Sequence, residues 1–254
     1  MSDFPKGAAI VFGATGGIGR FVCKELARAG SDIAIIWRSK EDVAKQLAIE
    51  IKALGREASL HQCDVLVGGA VDATMGAAVG VHGNLHTLVW GAGPLVEQVF
   101  VADTSKEQWR NAVNVEVHGF FDAAQSAITH MRQKGGSIIH LGSAGDLSWP
   151  DKDVLSVAPK AANESLIKAI AREEGKNNIR ANSVLIGVIE AGMFLELSKQ
   201  GVFDDVWTSD VQKNLALKRW GQPEEVAHAV VFLASEKAAY VTGQQIAVAG
   251  GYGI

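Results

Sequence analysis

Only two cysteines, Cys23 and Cys63, and only two tyrosines, Tyr240 and Tyr252, occur among the 254 residues. Two thiols cannot build a disulfide framework or a cysteine metal cluster, which points to a reducing compartment. Positive charge is not in excess either. There are 24 Lys and Arg against 28 Asp and Glu, a net of −4, so no basic surface is expected for nucleic acid or an anionic membrane. No run approaches the ~18 apolar residues of a membrane-spanning helix. The start Met1-Ser2-Asp3-Phe4-Pro5-Lys6 lacks the apolar stretch of a signal peptide. Of the seven histidines, none pairs at i, i+4 spacing beside a carboxylate, so no metal site is expected. The expectation is a soluble, cytoplasmic protein with no nucleic-acid or membrane partner.

Hydrophobic residues make up 48% of the chain and charged residues 20%, enough apolar surface for a sizeable core and too little charge for disorder. Short β-branched apolar runs alternate with longer helical patterns. Strands are expected at residues 8–12, 33–37, 58–63, 87–90, 137–141, 180–186 and 245–249, nearly all apolar, as in strands covered on both faces. Helices are expected at 17–29, 41–54, 69–81, 106–132, 157–175 and 224–235. Ser39 is the expected N-cap of the second, and Gly30 and Gly55 sit where C-caps fall. This order implies an α/β fold, a doubly wound seven-stranded parallel sheet with helices on both faces, in one domain over 1–254. The stretch 190–217 is too long for a simple connection. Its Met193, Phe194, Leu195, Phe203 and Trp207 suggest a lobe covering a substrate, or a helical pair closing one end of the sheet.

A Rossmann-type reading follows from Gly13-Ala14-Thr15-Gly16-Gly17-Ile18-Gly19 between the first strand and the first helix. Glycines there permit a tight turn, close approach of backbone to a pyrophosphate, and close helix–strand packing. The helix N-terminus then offers N–H groups to the phosphates. The bland alternative is that Gly17 and Gly19 only let the helix pack. Where an acidic residue would take the ribose 2′-OH of NAD, the second strand ends Trp37-Arg38-Ser39. An arginine there suits a 2′-phosphate and favours NADP(H) over NAD(H). Asp64-Val65 closes the third strand, placed to border an adenine.

With these come Gly91-Ala92-Gly93, Asn114, Ser143, Lys160, Ile179-Arg180-Ala181-Asn182, Gly187, Gly221-Gln222-Pro223-Glu224-Glu225-Val226-Ala227 and Val241-Thr242-Gly243-Gln244. In order and spacing the chain resembles the short-chain dehydrogenase/reductase family over nearly its whole length. The resemblance implies hydride transfer between a nicotinamide and an alcohol or ketone. A tyrosine moves the proton, a lysine four residues on lowers the phenol pKa, a serine orients the substrate oxygen, and an asparagine holds a relay water. Residue by residue, Asn114, Ser143 and Lys160 match, but Ser156 occupies the tyrosine's place in Ser156-Val157-Ala158-Pro159-Lys160, and both tyrosines belong to the C-terminal segment. A serine hydroxyl is a far weaker acid than a phenol. Further departures are Phe12 for a threonine, Trp90 and Gly91 for two asparagines, Ile186 for a proline, Ala191-Gly192 for Thr-Pro, and Ala249 for an aspartate. Phe12 and Trp90 are expected to crowd the dinucleotide cleft. Trp149, Met193 and Phe194 are candidate substrate contacts.

His140, one turn of chain before Ser143, reads better as a hydrogen-bonded strand residue than as a catalyst. Asp146, Asp151 and Asp153 read as a solvated loop, with a replacement acid among them as the sharper alternative. Residues 106–132 carry apolar side chains on more than one face and residues 157–175 carry small ones. In the family these helices pair subunits, so a homo- or hetero-oligomer, a dimer or tetramer, is expected. Three functions compete, and the first is the expected one. One is a silent or impaired subunit working beside an active paralogue of the family, as in heteromeric dehydrogenases of acyl-CoA intermediates. Another is an active NADP(H)-dependent ketone reductase or secondary alcohol dehydrogenase using a water or Ser156. The third is a lyase or isomerase on the same scaffold.

Overall fold

The computed structural model describes residues 3–254, so the first two residues of the start read above lie outside it. Seven parallel strands, β1 Ala8–Phe12, β2 Asp32–Trp37, β3 Ala58–Gln62, β4 Leu85–Trp90, β5 Gly136–Ser143, β6 Ile179–Ile186 and β7 Gln245–Val248, form one sheet in the order β3-β2-β1-β4-β5-β6-β7. The expected doubly wound α/β architecture is therefore present. Alternation along β1 shows why its strands read as unbroken apolar runs. Ala9 and Val11 face one core, shared with helices α1 Gly19–Arg28, α2 Glu41–Ala53 and α10 Pro223–Ala234. Ile10 and Phe12 face the other, shared with α3 Ala70–His82, α5 Gly119–Met131 and α7 Val154–Glu174. The order reverses direction between β1 and β4, which opens a crevice beyond their C-terminal ends.

Three local expectations need correction. The helix read as 106–132 is two helices, α4 Lys106–Val113 and α5, joined by a π turn at Asn114–His118. The wider turn lets Gly119 lie against the fully buried Trp90 indole, where a Cβ would come within 2.9 Å of Cη2. Helix α7 starts three residues before its expected 157. Its Pro159 is the sixth residue, inside the helix, so Leu155 O receives no ladder bond from position 159. Ser39 is not the cap of α2; Lys40 is, without a side-chain bond.

Residues 190–217 hold α8 Met193–Lys199 and α9 Asp205–Lys213, and a short α6, Gly145–Ser148, follows β5. Asp204 caps α9, accepting from the Trp207 backbone N–H at 2.7 Å. No helix among the described residues is long and apolar enough to cross a membrane.

Candidate active site

A cleft of about 2180 Å³ runs along the C-terminal ends of the strands, from the end of β2 to α9. Small-ligand pockets measure ~300–1000 Å³, so this cleft has room for a dinucleotide and a second molecule. Its first wall is the glycine turn. Gly13 has φ +75°, and a Cβ on it would lie 2.8 Å from Ala92 N, so only glycine lets β1 and β4 meet there. The N–H groups of Gly17 and Ile18 make no backbone bond within the turn or to the rest of the described chain, and they stand just before α1. That is the donor set and helix end a diphosphate requires. Gly13, Thr15, Gly17, Ile18 and Gly19 line the cleft, as do Val65 and Gly91. Arg38 is exposed at its edge. Asp64 is not in the lining. Its carboxylate instead accepts from Leu66 N at 3.0 Å and closes the turn after β3.

Trp90 does not crowd this wall, whereas Phe12 is part of the cleft lining. Trp90 is completely buried, its ring tilted against Phe12 at 5.2 Å and Phe120 at 5.9 Å between centroids, on the α3/α5 side of the sheet. The period-2 alternation of β4 turns its last side chain into the core. The loop after β6 approaches the glycine turn instead. Gly192, at φ +55°, lies against Gly17 so closely that a Cβ on Gly17 would overlap its backbone.

Ser143 at the end of β5 and Ser156 and Lys160 on α7 line the middle of the cleft. Asp153, Ser156 and Lys160 at i, i+3 and i+7 share one helical face. Ser143 Oγ accepts from Gly145 N at 3.1 Å, which fixes its hydroxyl. Asp153 is not a solvated loop residue. It lines the cleft and accepts from Gln98 Nε2 at 3.1 Å. Burial pushes its carboxyl above the usual range against the opposing pull of Gln98 and Lys160.

Asn114 does not join this group. It is exposed at the first position of the π turn, and Glu116, two residues on, is the side chain that faces Lys160. Lys160 Nζ donates to Glu116 Oε2 at 2.7 Å. Glu116 Oε1 lies 3.5 Å from His140 Nε2, and His140 Nδ1 lies 2.8 Å from Glu164 Oε1. Gln245 Nε2 donates to Glu164 Oε2 at 2.9 Å. Both carboxylates and the imidazole are buried. Burial alone would raise the two carboxyls and lower the imidazole. The charges and bonds of Lys160 and His140 outweigh it and hold Glu116 low. His140 holds Glu164 low, with Gln245, and the two carboxylates hold His140 high. Two glycines separate this chain of charges from the cleft. A Cβ on Gly93 would stand 2.8 Å from Glu116 Oε2, and one on Gly142 would overlap Glu164. The π turn places Glu116, not Asn114, on the inner side of the helix.

A tyrosine does reach the cleft, contrary to the reading from sequence. Tyr252 lines it, packs on Ala144, Leu185 and Ala249, and donates to Ser148 O at 3.1 Å. Burial, and then the charge of Asp153, keep its phenol above the ordinary value. Over the far end of the cleft stands an aromatic stack. Phe203 and Trp207 have centroids 4.0 Å apart, Phe194 lies 5.7 Å from Phe203, and Trp220 lies 6.0 Å from Trp207. Met193 and Phe194 line the cleft from α8, and Trp149 stands more than half exposed at its rim with φ +20°. Trp220, outside the 190–217 stretch, was not among the expected contacts; it joins because Ile189 and Gly221 pair in an isolated bridge.

The sheet order, the glycine turn at its switch point and the cleft beyond it define a dinucleotide-binding α/β protein. Comparison with known proteins narrows the class. The family model described as enoyl-(acyl carrier protein) reductase matches residues 13–253. A 3-oxoacyl-[acyl-carrier-protein] reductase of Staphylococcus epidermidis is 33% identical over 245 residues, 96% of this chain and 98% of that one. A short-chain type dehydrogenase/reductase from Mycobacterium ulcerans superposes with a TM-score of 0.91 at 28% identity, over 99% of this chain and 90% of that one. A 7α-hydroxysteroid dehydrogenase solved with NADH and a 7-oxo bile acid gives 0.88 at 28%, over 97% and 94%. The chain belongs to the short-chain dehydrogenase/reductase family of NAD(P)H-binding oxidoreductases.

Proposed function

We propose that the chain is an NADP(H)-dependent oxidoreductase that interconverts a ketone and a secondary alcohol carried on an apolar or acyl group, of the 3-oxoacyl or hydroxyacyl type. The observation that carries this reading is the convergence of Ser143 and Lys160 on one cleft, between a diphosphate-ready glycine turn and an aromatic stack. A bound nicotinamide would supply the hydride. Gly17 and Ile18 N–H groups would hold its diphosphate, and Arg38, which directly follows β2, would favour a 2′-phosphate, with Lys40 beside it in the lining. Ser143 would orient the substrate oxygen, and Phe194, Phe203 and Trp207 would pack its apolar part.

One observation favours a second reading. Ser156 stands where the family's phenol is expected, and a lost general acid costs typically ~10²–10⁴ in rate. On this reading the chain is an impaired or silent subunit, paired through residues 106–132 and 157–175 with itself or with an active family member. Trp109 and Phe121, both exposed on α4 and α5, support such pairing. The two readings separate in one experiment. The purified chain is titrated with NADPH and NADH and assayed with an acetoacetyl thioester. The first reading expects tighter binding of NADPH, a preference that Arg38→Ser narrows, together with ketone-dependent turnover. Absence of dinucleotide binding would sink it. Binding without turnover, with activity restored by Ser156→Tyr or by a co-expressed relative with an intact Tyr-x-x-x-Lys, would establish the second.

A further inference from the structure

The run Lys160–Glu116–His140–Glu164 is a row of alternating charge under the floor of the cleft, with only Lys160 touching the cleft itself. Burying the three ionisable groups Glu116, His140 and Glu164 is at best neutral for stability and is often exceeded by a packed apolar core. His140 Nε2 has two neighbours of opposite kind. Glu116 Oε1 at 3.5 Å accepts a proton bond, while Asn163 Nδ2 at 3.2 Å donates one. The imidazolium and the neutral imidazole each find a partner without any movement of the backbone. Asn163 is itself fixed by donating to Glu116 O at 3.0 Å. The groups facing His140 are Glu116 from the π turn, Glu164 and Asn163 from α7 and the Phe120 ring from α5. Gln245 of β7 faces Glu164, and Asp153 is the other charge near Lys160.

We propose that Glu116, His140 and Glu164 form a buried proton store serving Lys160, and that Lys160 gives the proton to the substrate oxygen in place of a phenol. The proposal rests on the reductase reading above. As the carbonyl carbon gains the hydride and its electron pair, the C=O π bond opens onto oxygen. The oxygen takes a proton from Lys160 Nζ, an N–H bond breaking as the O–H bond forms. His140 releases its Nε2 proton to Glu116 Oε1, and the carboxyl delivers it to the neutral amine. Nε2 then accepts from Asn163, while the other proton stays on Nδ1 and is donated to Glu164 Oε1. Water entering after product leaves recharges Lys160, and the reverse path reloads His140. One proton leaves and one returns in each cycle.

Two readouts test this on the full chain. In a titration of ¹⁵N-labelled histidine followed by NMR, His140 remains imidazolium beyond the ordinary histidine range. Glu116→Gln or Glu164→Gln lowers its midpoint, and Lys160→Met raises it by removing the competing cation. Two carboxamide variants are used so that a folding failure in one leaves the other. A midpoint that none of these moves overturns the store. With NADPH and an acetoacetyl thioester, Lys160→Arg keeps the cation but holds a proton it cannot release. Its kcat falls about 100-fold or more, with KM within about twofold. Wild-type kcat in Lys160→Arg overturns the donor role. A wild type that turns over no ketone removes the donor role together with the reductase reading, while the NMR titration still decides the store.

Discussion

Lowering the pH from 7 to 5 should weaken the fold through a single imidazole far from the cleft. His86, on β4, is 4% exposed and stacks on Phe4 at 5.1 Å. Ser31 Oγ accepts from Ala9 N and donates to Asp32 O, so toward His86 Nε2, 3.2 Å away, it acts as acceptor. The imidazole is thus the Nε2–H tautomer, and its Nδ1 accepts from Thr87 Oγ1 at 2.9 Å. Burial dominates and brings the pKa down to about 4 from 6.5, against the pull of Asp32. A depressed histidine binds its proton more readily when unfolded. Its contribution is therefore intact above pH 6.5 and is lost as pH falls from 6.5 towards 4. Between pH 7 and pH 5 those two values give a loss of about 2 kcal/mol, and below pH 4 about 3 kcal/mol. His61 and His82 are also lowered by burial, and His140, held high by its carboxylates, works in the opposite sense. The test is therefore a difference. Urea melts of wild type and His86→Gln at pH 7 and pH 5 should show the gap between them shifting by about 2 kcal/mol in favour of the variant. A gap that does not change with pH would refute the reasoning.

Two further outcomes concern the cleft. Gly17→Ala forces a methyl into the Gly192 backbone; dinucleotide affinity should fall at least tenfold, read by quenching of tryptophan fluorescence, while Gly16→Ala, whose added Cβ meets only Gly13 O at 3.0 Å, costs less. Trp207→Ala removes a ring stacked at 4.0 Å on Phe203, a pair worth about 0.5–1.5 kcal/mol beyond its area. It should raise KM for long-chain ketones severalfold and leave NADPH affinity unchanged, as measured by steady-state kinetics and titration.

What the sequence revealed depended on the range over which each signal acts. The strands β1, β2 and β4 were legible because side chains buried on both faces leave an unbroken apolar run. The glycine turn was legible because its glycines are adjacent in the chain. Glu116 was not, since a π turn shifts the phase of a helix without leaving a mark in composition, and Asn114 lies just two residues away. Trp90 was misplaced because a β4 residue can point to either side of the sheet, and only the register with β1 decides which. Tyr252 was missed for the plainest reason. It is 96 residues from Ser156, and proximity brought about by β7 pairing with β6 has no local signature.

That last strand carries a practical consequence. Gly251, Tyr252, Gly253 and Ile254 all line the cleft, with Gly253 set against Leu147 and Ile254 fully exposed. Any chain attached beyond Ile254 begins at the rim of the site. A purification tag placed there would compete with ligands for the entrance. An environment-sensitive dye at the same position would act as a built-in gauge of occupancy, brightening or dimming as a molecule enters.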